Sequence, residues 1–176
     1  MAIAEEPPEF SRMIALKQVD DRIHRLEASE QECAALAKRF GLVAVKSLVA
    51  EIALERDDQN VSATGTMQAE IVQSCAVTGD DLPVSVDEQL VLRFVPEDAL
   101  AAASPDEEIE LDADELDAIP YADEKFDLGE AVAQSLALAI DPYAVGPDAE
   151  EARKSSGLMD ESDAGPFAAL KALKGD

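Results

Sequence analysis

The chain is 176 residues long, 47% hydrophobic and only 4% aromatic, with no Trp and a formal net charge of -25. That length fits one domain with tails, and its apolar fraction fits a small aliphatic core. The charge argues against a surface that attracts naked RNA, DNA or anionic lipid and favours cationic partners. No run approaches the ~18 apolar residues of a membrane span. Met1 to Glu9 is acidic and Pro-bearing, unlike the basic and apolar parts of a signal peptide, so the expected location is cytoplasmic. Cys33 and Cys75 are then free thiols by default.

Charge is unevenly spread. Residues 1–56 hold ten acids and eight Lys/Arg; residues 57–176 hold twenty-nine acids and six bases. Between Arg93 and Lys125 there is no positive charge, and twelve of thirty-one residues are Asp or Glu.

In chain order, residues 1–9 read as a flexible N-terminus. Phe10 to Leu16 reads as a first strand and Arg22 to Leu26 as a second. Ser29 is an N-cap with Glu32 three residues on, a capping box. Cys33, Leu36, Ala37 and Phe40 follow at helical spacing, with Lys38 and Arg39 in the last turn and Gly41 as the stop. Leu48 to Leu54 alternates with Glu51 and Glu55, and Asp57 to Asn60 is a turn. Val61 to Ile71 then alternates strictly over eleven positions, and Thr78 to Asp81 turns the chain into a third long strand, Leu82 to Val95. Gly65, mid-strand, suggests a bulge or a bend.

The acidic segment 96–124 carries Ile109, Leu111, Leu116 and Ile119 as anchors for an edge strand or a short turn, and regular structure is not forced on the rest. Asp127 caps a second helix with Glu130 again in the capping-box position, and Asp141-Pro142 ends it. Gly146 to Gly165 reads as mobile. Residues 166–174 form a short amphipathic, locally basic helix starting at Pro166. The fold class is α+β: a curved antiparallel meander, able to approach a barrel, with two packed helices. A single domain covers 10–143 and a mobile tail covers 144–176.

The search for chemistry returns little. One histidine, His24, and two distant cysteines cannot supply the paired ligands of structural zinc. His24 reads as a surface strand residue, and Cys33 and Cys75 as small packed hydrophobes. No nucleophile has a base and an orienting acid, and no P-loop or Gly-x-Ser-x-Gly occurs. Carboxylates from Asp106 to Asp117 lack the spacing of a calcium loop. No enzyme, no metal and no other cofactor is expected. Phosphate binding requires clustered cations, for which Arg22, Arg25, Lys38 and Arg39 are the candidates. The plainer reading of these four is ordinary surface charge.

Three stretches together resemble a known family: Gln73-Ser74-Cys75-Ala76-Val77-Thr78; Phe126 to Ala131 followed by Leu136 to Tyr143; and Pro166-Phe167-Ala168-Ala169-Leu170-Lys171-Ala172-Leu173. From about Phe10 to Lys174 the chain is similar to the YceD-like proteins, also called large ribosomal RNA subunit accumulation proteins. Its Cys-x-Val-Thr variant resembles the alphaproteobacterial type, with Cys75 and Thr78 as the motif residues. Many members carry a second cysteine three residues after the first; here that position is Thr78, so a Cys-x-x-Cys pair is not available.

The resemblance implies a bacterial ribosome biogenesis factor that supports accumulation or processing of large-subunit (23S) rRNA. As an acidic binding protein it would engage a ribosomal protein or pre-ribosomal particle through Glu107, Glu108, Asp112, Asp114, Glu115 and Asp117. The tail residues Phe167, Leu170 and Leu173 would add a docking element, with rRNA contact direct or indirect. A direct RNA-binding module using the N-terminal basic residues is the alternative.

Overall fold

Period-two patterning builds the centre of the protein, for which a computed structural model describes residues 9–20, 22–101 and 118–156. Three long strands result: β3 (Ala44–Asp57), β4 (Asn60–Ser74) and β5 (Asp81–Pro96). On β3, Leu48, Ala50, Ile52 and Leu54 are buried and Glu51 and Glu55 are exposed. On β4, Val61, Ala63, Met67, Ala69 and Ile71 are buried while Ser62, Thr64, Gln68 and Glu70 face water. Alternate side chains leave a strand on opposite faces, so the apolar sets share one face.

Strands β3 and β4 pair antiparallel from Asp57↔Asn60 back to Ala44↔Val72. Asp58, in the connection, takes a left-handed φ of 54°. Between β4 and β5, Gln68 bonds Asp87 and Glu70 accepts from Ser85. Those contacts step in opposite directions along the two strands, which makes this pair antiparallel too. β2 (Ile23–Glu27) joins β3 antiparallel. The sheet order is β2-β3-β4-β5-β6.

β6 (Ala118–Tyr121) departs from the meander, because it pairs with β5 in parallel, from Arg93↔Ala118 to Pro96↔Tyr121. Within the segment expected to hold an edge strand, the described parts are a helix α2 (Glu97–Ala101) and this strand. β1 (Met13–Ala15) and β7 (Lys125–Asp127) form a separate two-stranded ladder. The fold is α+β as expected, but the sheet does not close into a barrel.

The ladder's irregularity falls between Val45 and Ser47, not at Gly65. Gly65 lies opposite Ile52 in unbroken register, and a Cβ there would sit 2.0 Å from the Glu51 carbonyl oxygen. The glycine therefore permits a close approach of two backbones rather than a bulge.

Both expected helices form. α1 (Glu30–Phe40) opens on the capping box: Ser29 Oγ accepts from Glu32 N–H, and Glu32 Oε2 accepts from Ser29 N–H. It stops at Gly41, where φ is 67°, with Leu42 N–H reaching the Ala37 carbonyl and Gly41 N–H the Lys38 carbonyl. That bond pattern is a Schellman closure. α3 (Leu128–Ala139) has Asp127 as its cap, but Glu130 does not complete the box. Its carboxylate is taken by Arg39 instead.

Asp127 fixes where the N-terminal segment meets α3. It accepts from Glu130 N–H, from Arg12 N–H at 2.7 Å and from Ser11 Oγ. Cys33, Leu36 and Ala37 of α1 and Leu128, Val132 and Leu136 of α3 join the sheet's apolar face in one core. Phe94 and Phe126 stack within it at 4.4 Å.

The chain divides into two compact units, Met1–Gln73 with Pro83–Asp141, and Ser74–Leu82 with Pro142–Asp176. Everything above except the ends of β4 and β5 belongs to the first. The second holds the turn after β4 and a helix α4 (Ala149–Ser155), inside the stretch expected to be mobile. Its composition explains it: Ala, Glu, Arg and Lys are good helix formers, with acids in the first turn and bases in the last. The expected helix over 166–174 lies outside the described residues.

Two variants test these points. Gly65→Ala forces a methyl group into a backbone carbonyl and should cost roughly 2 kcal/mol or more in urea unfolding. Asp127→Ala strips three donors of their acceptor and should cost about 2–3 kcal/mol, while a surface control such as Glu88→Gln stays within about 0.5 kcal/mol.

Candidate functional site

The basic residues are held by carboxylates of the same chain. Arg39, in the last turn of α1, donates to Glu130 Oε1 at 2.7 Å, to Glu130 Oε2 at 2.8 Å and to Glu9 at 2.9 Å. Glu130 holds its proton less readily than usual, chiefly because of Arg39 and despite partial burial. Arg25, on β2, meets Glu51 at 2.9 Å and Glu27 at 3.6 Å. Arg22 meets Asp20 at 2.5 Å. Of the four candidate RNA contacts, Lys38 alone has no ion pair among the described residues.

Arg12 is held by side-chain, backbone and ring contacts together. Its guanidinium grips Glu32 through both nitrogens, at 2.6 and 3.0 Å, reaches the Glu27 carbonyl and lies over the Phe10 ring. The Arg12 hydrogen bond, aided by Ser29 and opposed by desolvation, holds the Glu32 carboxyl at about 2. One carboxylate thus closes the helix cap and anchors the N-terminal strand. Neither the Arg12–Glu32 pair nor the Arg39–Glu130 pair was visible in the sequence, because the partners lie 20 and 91 positions apart.

Arg22 and Arg25 both line a cleft of roughly 370 Å³, with Arg12, His24, Ile14 and Leu128 among its lining. Lys38 and Arg39 sit on α1 and do not line it. His24 is not the surface residue expected: its parity on β2 matches buried Leu26, and its Nε2 is shut from solvent 3.6 Å from Asp20 Oδ1.

Cys75 is in the second unit. The turn is closed by Cys75 N–H to the Asp80 carbonyl and by Gly79 N–H to the Cys75 carbonyl, with Gly79 at φ 76°. Ala76 N–H bonds the Ala144 carbonyl and so ties residues 142–146 to the turn. Cys75 is buried, as a packed hydrophobe would be, but its sulfur is an acceptor. Gly146 N–H lies 3.3 Å from Sγ and Thr78 N–H 3.5 Å. Donation from Gly146, then Thr78 and Val77, brings the thiol down from 9.0 to about 6. The sequence singled out Cys75 and Thr78; Gly146, 71 positions away, carried no local signal.

No group of three His, Cys, Asp or Glu is gathered for a metal among the described residues. No helix among them is long and apolar enough to cross a membrane. The acidic candidates Glu107, Glu108, Asp112, Asp114, Glu115 and Asp117 lie outside the described residues, as do Phe167, Leu170 and Leu173.

A lowered thiol makes the second unit pH-sensitive. The N–H contacts favour the thiolate, so their contribution is complete above about pH 9, declines as the pH falls and is gone below about 6. Cys75→Ser should flatten the dependence of Tm between pH 6 and 9 that the wild type shows; equal slopes would remove the thiolate account.

A family model described as large ribosomal RNA subunit accumulation protein YceD matches residues 63–174. No curated protein and no solved structure matches. The matched stretch contains Cys75, Thr78, the acidic segment and the tail, whereas Arg22, Arg25, Lys38 and Arg39 fall before it.

Proposed function

The chain belongs to the YceD family of large ribosomal RNA subunit accumulation proteins, and on that premise we propose a non-enzymatic ribosome assembly factor that binds a basic protein. Its acidic segment between Arg93 and Lys125 engages a cationic ribosomal protein, free or on a pre-ribosomal particle, in the cytoplasm. The tail around Phe167, Leu170 and Leu173 adds apolar contacts to that partner. Accumulation of 23S rRNA then follows from protecting or presenting that partner during assembly.

One observation carries the reading. Against a net charge of -25, the arginines that could have met phosphate are engaged by Asp20, Glu51 and Glu130. Exposed pairs of this kind add little stability, but each must be broken or shared before it can serve RNA. The competing reading, direct RNA binding, draws on the cleft where Arg12, Arg22 and Arg25 meet.

Affinity capture from cells separates the two. The assembly reading expects basic ribosomal proteins to remain bound after nuclease treatment, and depletion to lower mature 23S rRNA. Unchanged 23S rRNA and precursor ends on depletion would overturn it. Direct RNA binding expects affinity for rRNA fragments that falls steeply with salt and collapses when Arg22, Arg25, Lys38 and Arg39 are neutralised together.

A further inference from the structure

We propose that the outer edge of β5, from Val84 to Leu92, together with the groove it forms against α3, docks an extended cationic segment of a partner protein as an added β-strand. The proposal rests on the reading of this protein as the acidic partner of a basic one, and it names the surface.

β5 runs over sixteen residues, yet its pairing with β6 begins only at Arg93. No strand flanks the earlier part on that side among the described residues, and none of these gives its outward N–H and C=O groups a ladder partner. A strand edge in that state is a template for another chain. A groove of roughly 250 Å³ follows it, lined by Glu88 to Leu92 and by Ser135, Leu138 and Ala139 of α3. Gln89 and Val91 belong to the wet face and Leu90 and Leu92 to the apolar face, so the groove runs along the strand's edge rather than over either face.

Apolar anchors flank the edge. Val91 is 79% exposed and Leu138 is 89% exposed. An open backbone edge beside apolar contacts is the arrangement by which an extended peptide adds to a sheet, main chain for affinity and alternate side chains for specificity.

Charge decides the occupant. No Lys or Arg lines the groove, and Glu88 sits on the inward parity of β5 but reaches water at its rim. An inward-pointing charge on an edge discourages pairing with a second copy. Two such edges would also set Asp87 and Glu88 against their like on molecules that each carry -25. A strand alternating Lys or Arg with apolar residues meets both demands: cations on the inward side beside Glu88, and apolar side chains on the outward side beside Val91.

The test uses the full chain and three peptides of equal length: alternating Lys-Val, Lys-Gly and Glu-Val. Titration calorimetry measures affinity, and hydrogen exchange follows the outward amides of residues 84–92, those turned away from β4. Lys-Val should bind at least about tenfold more tightly than the other two and slow exchange across 84–92. Val91→Lys with Leu138→Lys, both at exposed positions and checked for native circular dichroism, should weaken it by about tenfold or more.

Equal binding of Lys-Gly without protection of 84–92 would overturn the docking strand while leaving the acidic-partner reading intact. Failure of both cationic peptides would overturn the strand and count against that reading. Protection of those outward amides in the protein alone also overturns it: a second copy holds the edge if protection grows with concentration, and the chain's own residues hold it if protection persists on dilution.

Discussion

The junction of the N-terminal segment with α1 and α3 depends on carboxylates meeting arginines and backbone donors at short range. Glu32 completes the cap of α1 while gripping Arg12. Asp127 caps α3 while accepting from Ser11 and Arg12. Glu130 leaves its capping-box role to clasp Arg39. Each carboxylate therefore joins two elements that hydrophobic contact alone would leave free to slide. A bidentate guanidinium–carboxylate fork fixes angle as well as distance, which a Lys at the same place would not.

This pairing also shapes the surface. The chain has 14 bases for 39 acids. When arginines are drawn onto carboxylates, the remaining acids set the field outside, and that field repels polyphosphate and attracts cations. The same chemistry that fastens the helices leaves an acidic exterior. Membership of the YceD family places this exterior in the context of large-subunit rRNA accumulation. An rRNA-related process thus does not require this protein to grip RNA itself.

The turn at Cys75 works on a different principle. No cation is among the causes that lower its thiol; N–H groups from Gly146, Thr78 and Val77 do so. Backbone dipoles aimed at one sulfur favour the charged form much as a helix terminus would. Thr78, three residues after Cys75, serves as a donor to it through its backbone N–H. The turn and residues 142–146 are thereby held together within the second unit.

Much of the fold was legible because it is local. The alternation of β3 and β4, the Ser29 capping box and the Gly41 stop depend on neighbours within a few positions, so sequence alone determined them. Sequence also determined the charge asymmetry, and three ordered motifs pointed to the family. Other features depended on separations that no local pattern encodes. The parallel seating of β6, the contact that makes Gly65 a close-approach residue, the clasp of Arg39 on Glu130 and the donation of Gly146 to Cys75 were settled only when distant segments met. For the four basic candidates, residue type showed their charge, while tertiary structure decided which carboxylates neutralise it, because an ion pair is a matter of distance in space and not of position along the chain.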